Sequence, residues 1–175
     1  MQGLDRSVLQ FHWRNMREDD LATVIKIADE LHPGFFEDKH IYAERLALYP
    51  NGCLIFEVNH HRVGYVISHP WLEGQVPALN SLLQALPTHP STYYIHDVAL
   101  LPPARGLGAV KLLLANFIPL ARADGLSTIS LTAVNNSRGF WRSHGFIEID
   151  DPALQEQLNS YEPDARFLLK NIASS

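Results

Sequence analysis

The segment LLPPARGLGAVKLLLANF, Leu100 to Phe117, places a glycine-containing loop directly before an apolar stretch with helical periodicity. The extended run TYYIHDVAL precedes it from Thr92, so the order is strand, proline turn, glycine loop, helix. At a helix start about four backbone amides lack intrahelical partners and carry partial positive charge, which favours an anion. Gly106 and Gly108 can adopt positive φ and allow a close backbone approach. The segment therefore predicts a phosphate-binding loop within an α/β fold.

The spacing of this loop distinguishes it from two common nucleotide motifs. A Walker A loop needs Ser or Thr after its lysine, whereas a leucine follows Lys111, and the fingerprint GxGxxG would need a glycine where Lys111 stands. The loop instead resembles the acetyl-CoA loop of the GNAT superfamily of N-acetyltransferases, Pro-x-x-(Arg or Gln)-x-x-Gly-x-(Gly or Ala). Pro102, Arg105 and Gly108 fit this pattern. Val110 replaces its last small residue and is expected to narrow the space beside the phosphates.

The sequence after the loop continues the resemblance. A strand, STISLTAV, follows the helix, and NNSRGFWRSHGF, Asn135 to Phe146, is similar to the family's segment in which Asn opens a short helix that ends in Gly-Phe. The resemblance implies one GNAT-like α/β domain over residues 1–175, with a core of about 11–171. It also implies a mixed central sheet of six to seven strands, flanked by about four helices. The fourth and fifth strands are expected to splay around acyl-CoA.

The resemblance implies acetyl-CoA as co-substrate and no metal. Pantetheine is expected along the strand before the loop, where a bulge frees backbone groups, and the phosphates are expected on the loop itself. The residues predicted to contact the cofactor are Val98, Ala99, Leu100, Arg105, Gly106, Leu107, Gly108, Ala109, Val110, Asn135 and Trp141. Two of these have structural alternatives: Asn135 could cap the following helix, and Trp141 could simply fill the core.

Two ionisable residues, His96 and Asp97, stand in the otherwise apolar strand before the loop. An amine attacks a thioester only in its neutral form, so the site must accept a proton. Neighbours on a strand face opposite ways, so we expect one of the two to face the acceptor and the other to turn toward the helices or a bulge. A proton relay through either residue and structural hydrogen bonding both remain open. Glu57, on an earlier strand, is an alternative base.

The resemblance also bears on the leaving group. In diamine acetyltransferases, which this strand resembles, a Glu-Asp pair occupies positions 96 and 97. Family members often protonate the thiolate with a Tyr four residues before the Gly-Phe, and that position here is Trp141, whose indole cannot act as an acid. A thiol with a pKa of about 8.5 can leave as the thiolate, so catalysis is not excluded. Ser143, His144 and water are the remaining candidate acids.

Two segments, residues 32–42 and 69–91, are expected near the acceptor. The second is rich in Pro, Gly, Leu and His and is too long for an ordinary hairpin connection, and such connections are typical of functional segments. A short helix at 78–85 that merely covers the sheet is the alternative. A helix is also predicted from about 38 to 48, and residues 150–165 are predicted to form a loop with a helical turn.

Composition limits the partners. Fourteen basic and nineteen acidic residues give a net charge of −5, which disfavours nucleic acid. The N-terminus lacks the apolar core of a signal peptide and no apolar run reaches about 18 residues, so we predict a cytoplasmic protein without a membrane partner. The single cysteine, Cys53, is predicted to be a buried hydrophobe, and the adjacent His60 and His61 a solvated turn. A homodimer is compatible with the sequence.

The leading hypothesis is an N-acetyltransferase that moves an acetyl group from acetyl-CoA to a primary amine of a small molecule, by direct attack in a ternary complex. Two alternatives remain. A protein or peptide N-acetyltransferase predicts an open groove, whereas a small-molecule enzyme predicts closure by residues 69–91. A non-catalytic acyl-CoA-binding sensor would account for Val110 and for the missing tyrosine at position 141.

Overall fold

The computed structural model describes residues 8–174, which form one seven-stranded mixed sheet with five α-helices. Residues 1–7 and 175 lie outside the described residues. The ends of the predicted domain, 1–175, and the first residues of the N-terminus, which was predicted to lack a signal peptide, therefore fall outside them. The strands are β1 (Phe11–Asn15), β2 (Cys53–Val58), β3 (His61–Trp71), β4 (Thr92–Leu100), β5 (Thr128–Ala133), β6 (Ile147–Glu148) and β7 (Arg166–Asn171). The helices are α1 (Leu21–Leu31), α2 (Lys39–Leu48), α3 (Ala109–Ala123), α4 (Arg138–Ser143) and α5 (Pro152–Leu158).

The strand order is β1-β2-β3-β4-β5-β7-β6, and only the β4–β5 pair is parallel. This confirms the predicted α/β class and the six to seven strands. The helix count exceeds the expected four because the predicted helical turn after position 150 is a helix, α5, in which Asp151 caps the amide of Ala153 at 2.9 Å. No helix within residues 8–174 has the length and apolarity needed to cross a membrane.

Side-chain alternation divides the core between the two faces of the sheet. Tyr93 and Ile95 of β4 pack with α3 and with Trp141 of α4. On the opposite face Tyr94 packs with α5, while Tyr65 of β3 packs with α1 and α2. Buried Cys53 belongs to the α1 and α2 side, as a small hydrophobe.

The strands β4 and β5 separate part of the way along their length. Only three residues of β4, Tyr93 to Ile95, pair with β5, whereas β4 continues to pair with β3 as far as Leu100. The predicted splaying of the fourth and fifth strands is therefore confirmed. It opens a cleft whose walls are the unpaired half of β4 and the end of β5.

A β-bulge lies where the strands separate. In the register with β3, Ile95 pairs with Ser68 and Asp97 pairs with Ile67, so His96 is the extra residue. The bulge shifts the alternation by one position. His96 consequently lies on the same face as Tyr94, and Asp97 hydrogen-bonds to a tyrosine of that same face. The expectation that positions 96 and 97 face opposite ways is wrong, because the bulge turns both toward one cleft.

The segment from 72 to 91, here called the covering segment, contains no helix. The alternative helix at 78–85 is therefore wrong. Asn80 and Gln84 have positive φ angles of 56° and 67°, which interrupt a right-handed helix. Amides of this segment are instead bound by side chains of the segment from 37 to 44.

Candidate active site

The glycine loop has the backbone shape that the sequence predicts. Gly106 and Gly108 have φ angles of 75° and 72°, and a Cβ built on either would meet no atom within 4 Å. Gly108 is the N-cap of α3, and the first intrahelical bond runs from the Leu112 amide to the Gly108 carbonyl oxygen at 3.0 Å. The amides before Leu112 are thus the ones that a phosphate can accept hydrogen bonds from.

Three connected spaces lead inward from this loop. A loop cavity of about 240 Å³ lies over residues 104–111. It shares Arg105, Val110 and Phe140 with a cleft of about 360 Å³ between the splayed strands. The cleft in turn shares His96 and Asp97 with a small inner pocket of about 50 Å³. A molecule with an anionic end can therefore lie on the loop and extend through the cleft to the inner pocket.

Nine of the eleven predicted cofactor residues line the loop cavity or the cleft. They are Val98, Leu100, Arg105, Gly106, Gly108, Ala109, Val110, Asn135 and Trp141. The two others, Ala99 and Leu107, do not line these spaces: Ala99 packs toward α1 and α2, and Leu107 packs against the cluster around Phe56. Strand alternation turns the Ala99 side chain away from the cleft, so only its backbone atoms could contact a cofactor there.

The structure gives the positions of Val110, Trp141 and Asn135, the three predicted cofactor residues for which the sequence raised a structural question. Val110, in the first turn of α3, is 3% exposed and packs in the core, and it also lines the loop cavity and the cleft. Trp141 packs in the core and also lines the cleft, while its contact with pantetheine stays a prediction. Asn135 is not the helix cap: Ser137 occupies the N-cap of α4, while Asn135 has a left-handed backbone and faces the cleft.

His96 is held by a carboxylate that sequence reasoning did not single out. Its Nε2 lies 2.9 Å from Oε1 of Glu37, and the two side chains are 3% and 5% exposed. The other ring nitrogen, Nδ1, is buried and has no hydrogen-bond partner among residues 8–174. A proton on Nε2 directed at Glu37 leaves the Nδ1 lone pair free to accept a proton in the site.

Asp97 is paired with His32, which directly follows α1. Asp97 Oδ1 lies 3.0 Å from His32 Nε2, and the hydroxyl of Tyr65 donates to Asp97 Oδ2 at 2.5 Å. Burial acts to lower the pKa of His32, but the contact with the Asp97 carboxylate outweighs it and raises that pKa. His32 was predicted only as the start of a segment near the acceptor.

Glu57, the alternative base, lies outside the site. Its carboxylate accepts from Arg14 Nε at 2.7 Å and lies 3.9 Å from His12, at the β1–β2 edge of the sheet. Arg14 also binds Asp20 at 2.8 Å, so Glu57 belongs to a structural ion-pair group. It lines neither the cleft nor the inner pocket.

The covering segment forms part of the wall of the inner pocket. The carboxylate of Glu44 accepts from the amides of Leu83 at 2.7 Å and Gln84 at 2.9 Å. The Asp38 amide donates to Asn80 Oδ1 at 2.8 Å. Further along the segment, the Tyr161 hydroxyl donates to the Pro77 carbonyl oxygen. These bonds place Leu79 in the wall of the pocket.

The environment of the inner pocket is mostly apolar. Its walls are formed by Phe35, Leu79, Tyr94, Val134 and Tyr161, with Glu37, His96, Asp97, His32 and Thr132 as polar members. A second buried histidine, His69, lies with its ring centroid 6.3 Å from that of His96. Burial lowers the pKa of His69 to about 3, so this ring is neutral at physiological pH.

A glycine loop, splayed parallel strands and a cleft between them define the fold of the GNAT acyltransferases. Residues 15–146 match the family model described as Acetyltransferase (GNAT) family, and the chain belongs to this family. No curated protein sequence matches the chain.

Several solved structures share this fold. Naa50 from Arabidopsis thaliana, in complex with the bisubstrate analogue CoA-Ac-MVNAL, is 22% identical, with 92% of this chain and 98% of that chain covered and a TM-score of 0.65. N-acetylglutamate synthase from Neisseria gonorrhoeae, complexed with coenzyme A and N-acetyl-glutamate, is 16% identical over 94% and 36%, with a TM-score of 0.67. The GphF GNAT-like decarboxylase, in complex with isobutyryl-CoA, is 13% identical over 93% and 100%, with a TM-score of 0.74. At these identities the likeness shows the fold, and the acceptor must be argued from the site.

Proposed function

We propose that this protein transfers an acetyl group from acetyl-CoA to the primary amine of a small molecule. Membership of the GNAT family supports acyl transfer. The observation that carries the choice of acceptor is the inner pocket, which is about 50 Å³ and has Leu79 of the covering segment in its wall. A pocket of this size suits a few heavy atoms rather than a peptide chain.

The cofactor is proposed to follow the three connected spaces. Its pyrophosphate accepts from the loop amides at the start of α3, where Gly106 and Gly108 leave open space. Its pantetheine arm runs between the splayed strands beside Val98 and Trp141. This brings the thioester to the junction of the cleft and the inner pocket, where His96 lies. The structures of Naa50 and GphF with CoA derivatives support the use of a CoA thioester.

The amine is proposed to attack the thioester carbonyl directly, with His96 as general base. His96 Nδ1 accepts the proton, and Glu37 orients the ring and stabilises its protonated form. No covalent enzyme intermediate is needed, because both substrates reach the same junction. The apolar walls of the inner pocket favour an amine with a small apolar body.

Two alternative functions, acetylation of a peptide and CoA binding without turnover, predict different experimental results. A peptide acceptor, as in the bisubstrate complex of Naa50, needs an open groove where the covering segment lies. A CoA-binding sensor would bind acetyl-CoA without turnover. Neither is favoured by a specific contact: the core accommodates Val110, and a histidine–carboxylate pair lies at the junction.

The test measures thiol release from acetyl-CoA against small alkyl and aryl amines, amino acids, polyamines, aminoglycosides and short peptides. We expect turnover with small amines and a kcat/KM at least about tenfold lower with peptides, since the inner pocket is small. Turnover with peptides alone would move the acceptor to the protein class. Tight acetyl-CoA binding by calorimetry, without thiol release across the whole panel, would establish the sensor instead.

A further inference from the structure

The site has a second histidine–carboxylate pair, which the attack on the thioester does not use. His32 and Asp97 line both the cleft and the inner pocket. Asp97 directly follows His96 in the unpaired half of β4, and His32 directly follows α1. Meanwhile the position from which family members often supply a tyrosine acid holds Trp141, whose indole is not an acid.

We propose that His32 is the general acid that protonates the CoA thiolate as it leaves, and that Asp97 positions it. This inference rests on the proposed acetyl transfer and completes its proton balance. It assigns the two histidines opposite tasks: His96 accepts a proton and His32 donates one. Each ring is held by its own carboxylate.

The geometry places the His32 ring beside the expected path of the thioester. Val98, where pantetheine is proposed to lie, lines the same cleft as His32. Asp97 holds the ring at 3.0 Å from Nε2, and Tyr65 donates to Asp97 in turn. The other ring nitrogen of His32, Nδ1, is buried and has no hydrogen-bond partner among residues 8–174, so it is free to contact a ligand in the cleft.

The charges around His32 favour its protonated form. Asp97 is the carboxylate in contact with the ring, and it outweighs burial so that the pKa of His32 is raised. The other titratable groups that line the two spaces or contact Asp97 are Glu37, His96, Tyr65, Tyr94, Tyr161 and Arg105. The contact with Asp97 therefore favours the protonated ring, which has a proton to donate, as a general acid must.

The proton balance closes with these two histidines. The amine nitrogen bonds to the carbonyl carbon and loses a proton to His96 Nδ1. The tetrahedral adduct then collapses, the C–S bond breaks, and its electron pair stays on sulfur. The His32 ring proton passes to that sulfur, which gives the CoA thiol and the amide. Exchange with water deprotonates His96 and reprotonates His32 for the next cycle.

The first test compares two acetyl donors, acetyl-CoA and its selenoester analogue. A selenol is more acidic than a thiol, so the selenolate departs without protonation. We expect His32→Gln to lower kcat with acetyl-CoA about 100-fold and to leave the rate with the selenoester close to that of the wild type. Equal losses with both donors, or no loss with acetyl-CoA, would overturn the proposal. The exposed His61 provides the control His61→Gln, which should match the wild type with both donors.

A second measurement does not depend on the acceptor. The His32 ring is followed by NMR titration with CoA and with desulfo-CoA, which lacks the thiol. A change in the His32 titration midpoint with CoA alone supports a contact between ring and sulfur, and identical midpoints with both ligands contradict it. If no amine is acetylated, this titration still decides whether His32 meets the sulfur, so failure of the proposed function and failure of this inference are separate results.

Discussion

Oε1 of Glu37 lies 2.9 Å from Nε2 of His96, with both side chains almost fully buried. The pair joins two parts of the chain that are 59 positions apart, the segment after α1 and the bulge in β4. A buried carboxylate beside a buried imidazole stabilises the imidazolium and fixes the ring orientation. The base of the proposed reaction is therefore the pair rather than the histidine alone.

Substitution of Glu37 tests this pair. In Glu37→Gln the amide can still hydrogen-bond to His96 but carries no charge, so we expect kcat to fall about tenfold to 100-fold. The KM for acetyl-CoA should not change, since Glu37 lines the inner pocket and not the cleft. Steady-state kinetics with saturating amine separates the two effects.

Glu57 supplies the matched control. The variant Glu57→Gln removes the charge that faces Arg14 and is expected to lower the free energy of unfolding while kcat of the folded enzyme stays near wild type. If Glu57→Gln lowers kcat as much as Glu37→Gln does, the assignment of the base to the Glu37–His96 pair is wrong.

The raised pKa of His32 predicts a dependence of stability on pH. A histidine whose pKa is higher in the folded state contributes stability that is complete below its unfolded pKa of about 6.5. That contribution disappears as the pH rises through the folded pKa. We therefore expect the loss of unfolding free energy in His32→Gln to be largest below about pH 6.5 and to shrink at higher pH.

Urea denaturation of the wild type and His32→Gln across this pH range measures the effect. His61→Gln serves as the reference, because His61 is exposed. A difference between wild type and His32→Gln that is constant with pH, or that grows with pH, would show that the Asp97–His32 ion pair does not have the charge assigned to it.

The role of the glycine loop in binding acetyl-CoA can be tested by substituting Gly108 and comparing the result with the same substitution at Gly125, a glycine with a similar backbone conformation. Gly108 and Gly125 have φ angles of 72° and 76°, and neither has an atom within 4 Å of a built Cβ. An aspartate at either position incurs a similar strain of about 1–2 kcal/mol. Only Gly108 lies at the loop cavity, so Gly108→Asp also adds a negative charge beside the phosphates.

We expect Gly108→Asp to weaken acetyl-CoA binding at least about 100-fold, an effect of roughly 3 kcal/mol or more. Gly125→Asp should bind acetyl-CoA as the wild type does, with a similar loss of thermal stability. Isothermal titration calorimetry gives the affinities, and thermal melting gives the stabilities. Unchanged affinity in Gly108→Asp would refute the assignment of the loop.

Sequence reasoning succeeded where a local pattern determines the structure. The loop glycines, the strand before them and the helix after them are neighbours in the chain, so their spacing carried the family resemblance that predicted the fold and most of the residues that line the loop cavity and the cleft. Glu37 and His32 were missed as site residues because their partners on β4 are 59 and 65 positions away. The resemblance implied a bulge in this strand, but its position at His96 was not predicted, since that is a feature of the register between β3 and β4.

The Asn80 side chain helps to hold the covering segment beside the inner pocket. Its Oδ1 accepts from the Asp38 amide at 2.8 Å and its Nδ2 donates to Asp38 Oδ2 at 3.2 Å. Asn80→Gly removes these bonds but tolerates the positive φ of 56°, so the backbone is not strained. Gln84, on the same segment, has a φ of 67°, and Gln84→Gly changes the backbone freedom in the same way.

We expect Asn80→Gly to raise the KM for the amine several-fold and to accelerate proteolysis within residues 72–91, because the covering segment opens more often. The kcat and the affinity for acetyl-CoA should change little, since Asn80 lines neither the cleft nor the loop cavity. Gln84→Gly keeps the Asn80 bonds and should have a smaller effect on both measurements. If Asn80→Gly instead gains activity on peptides while the KM for small amines is unchanged, the covering segment acts as a gate for a larger acceptor.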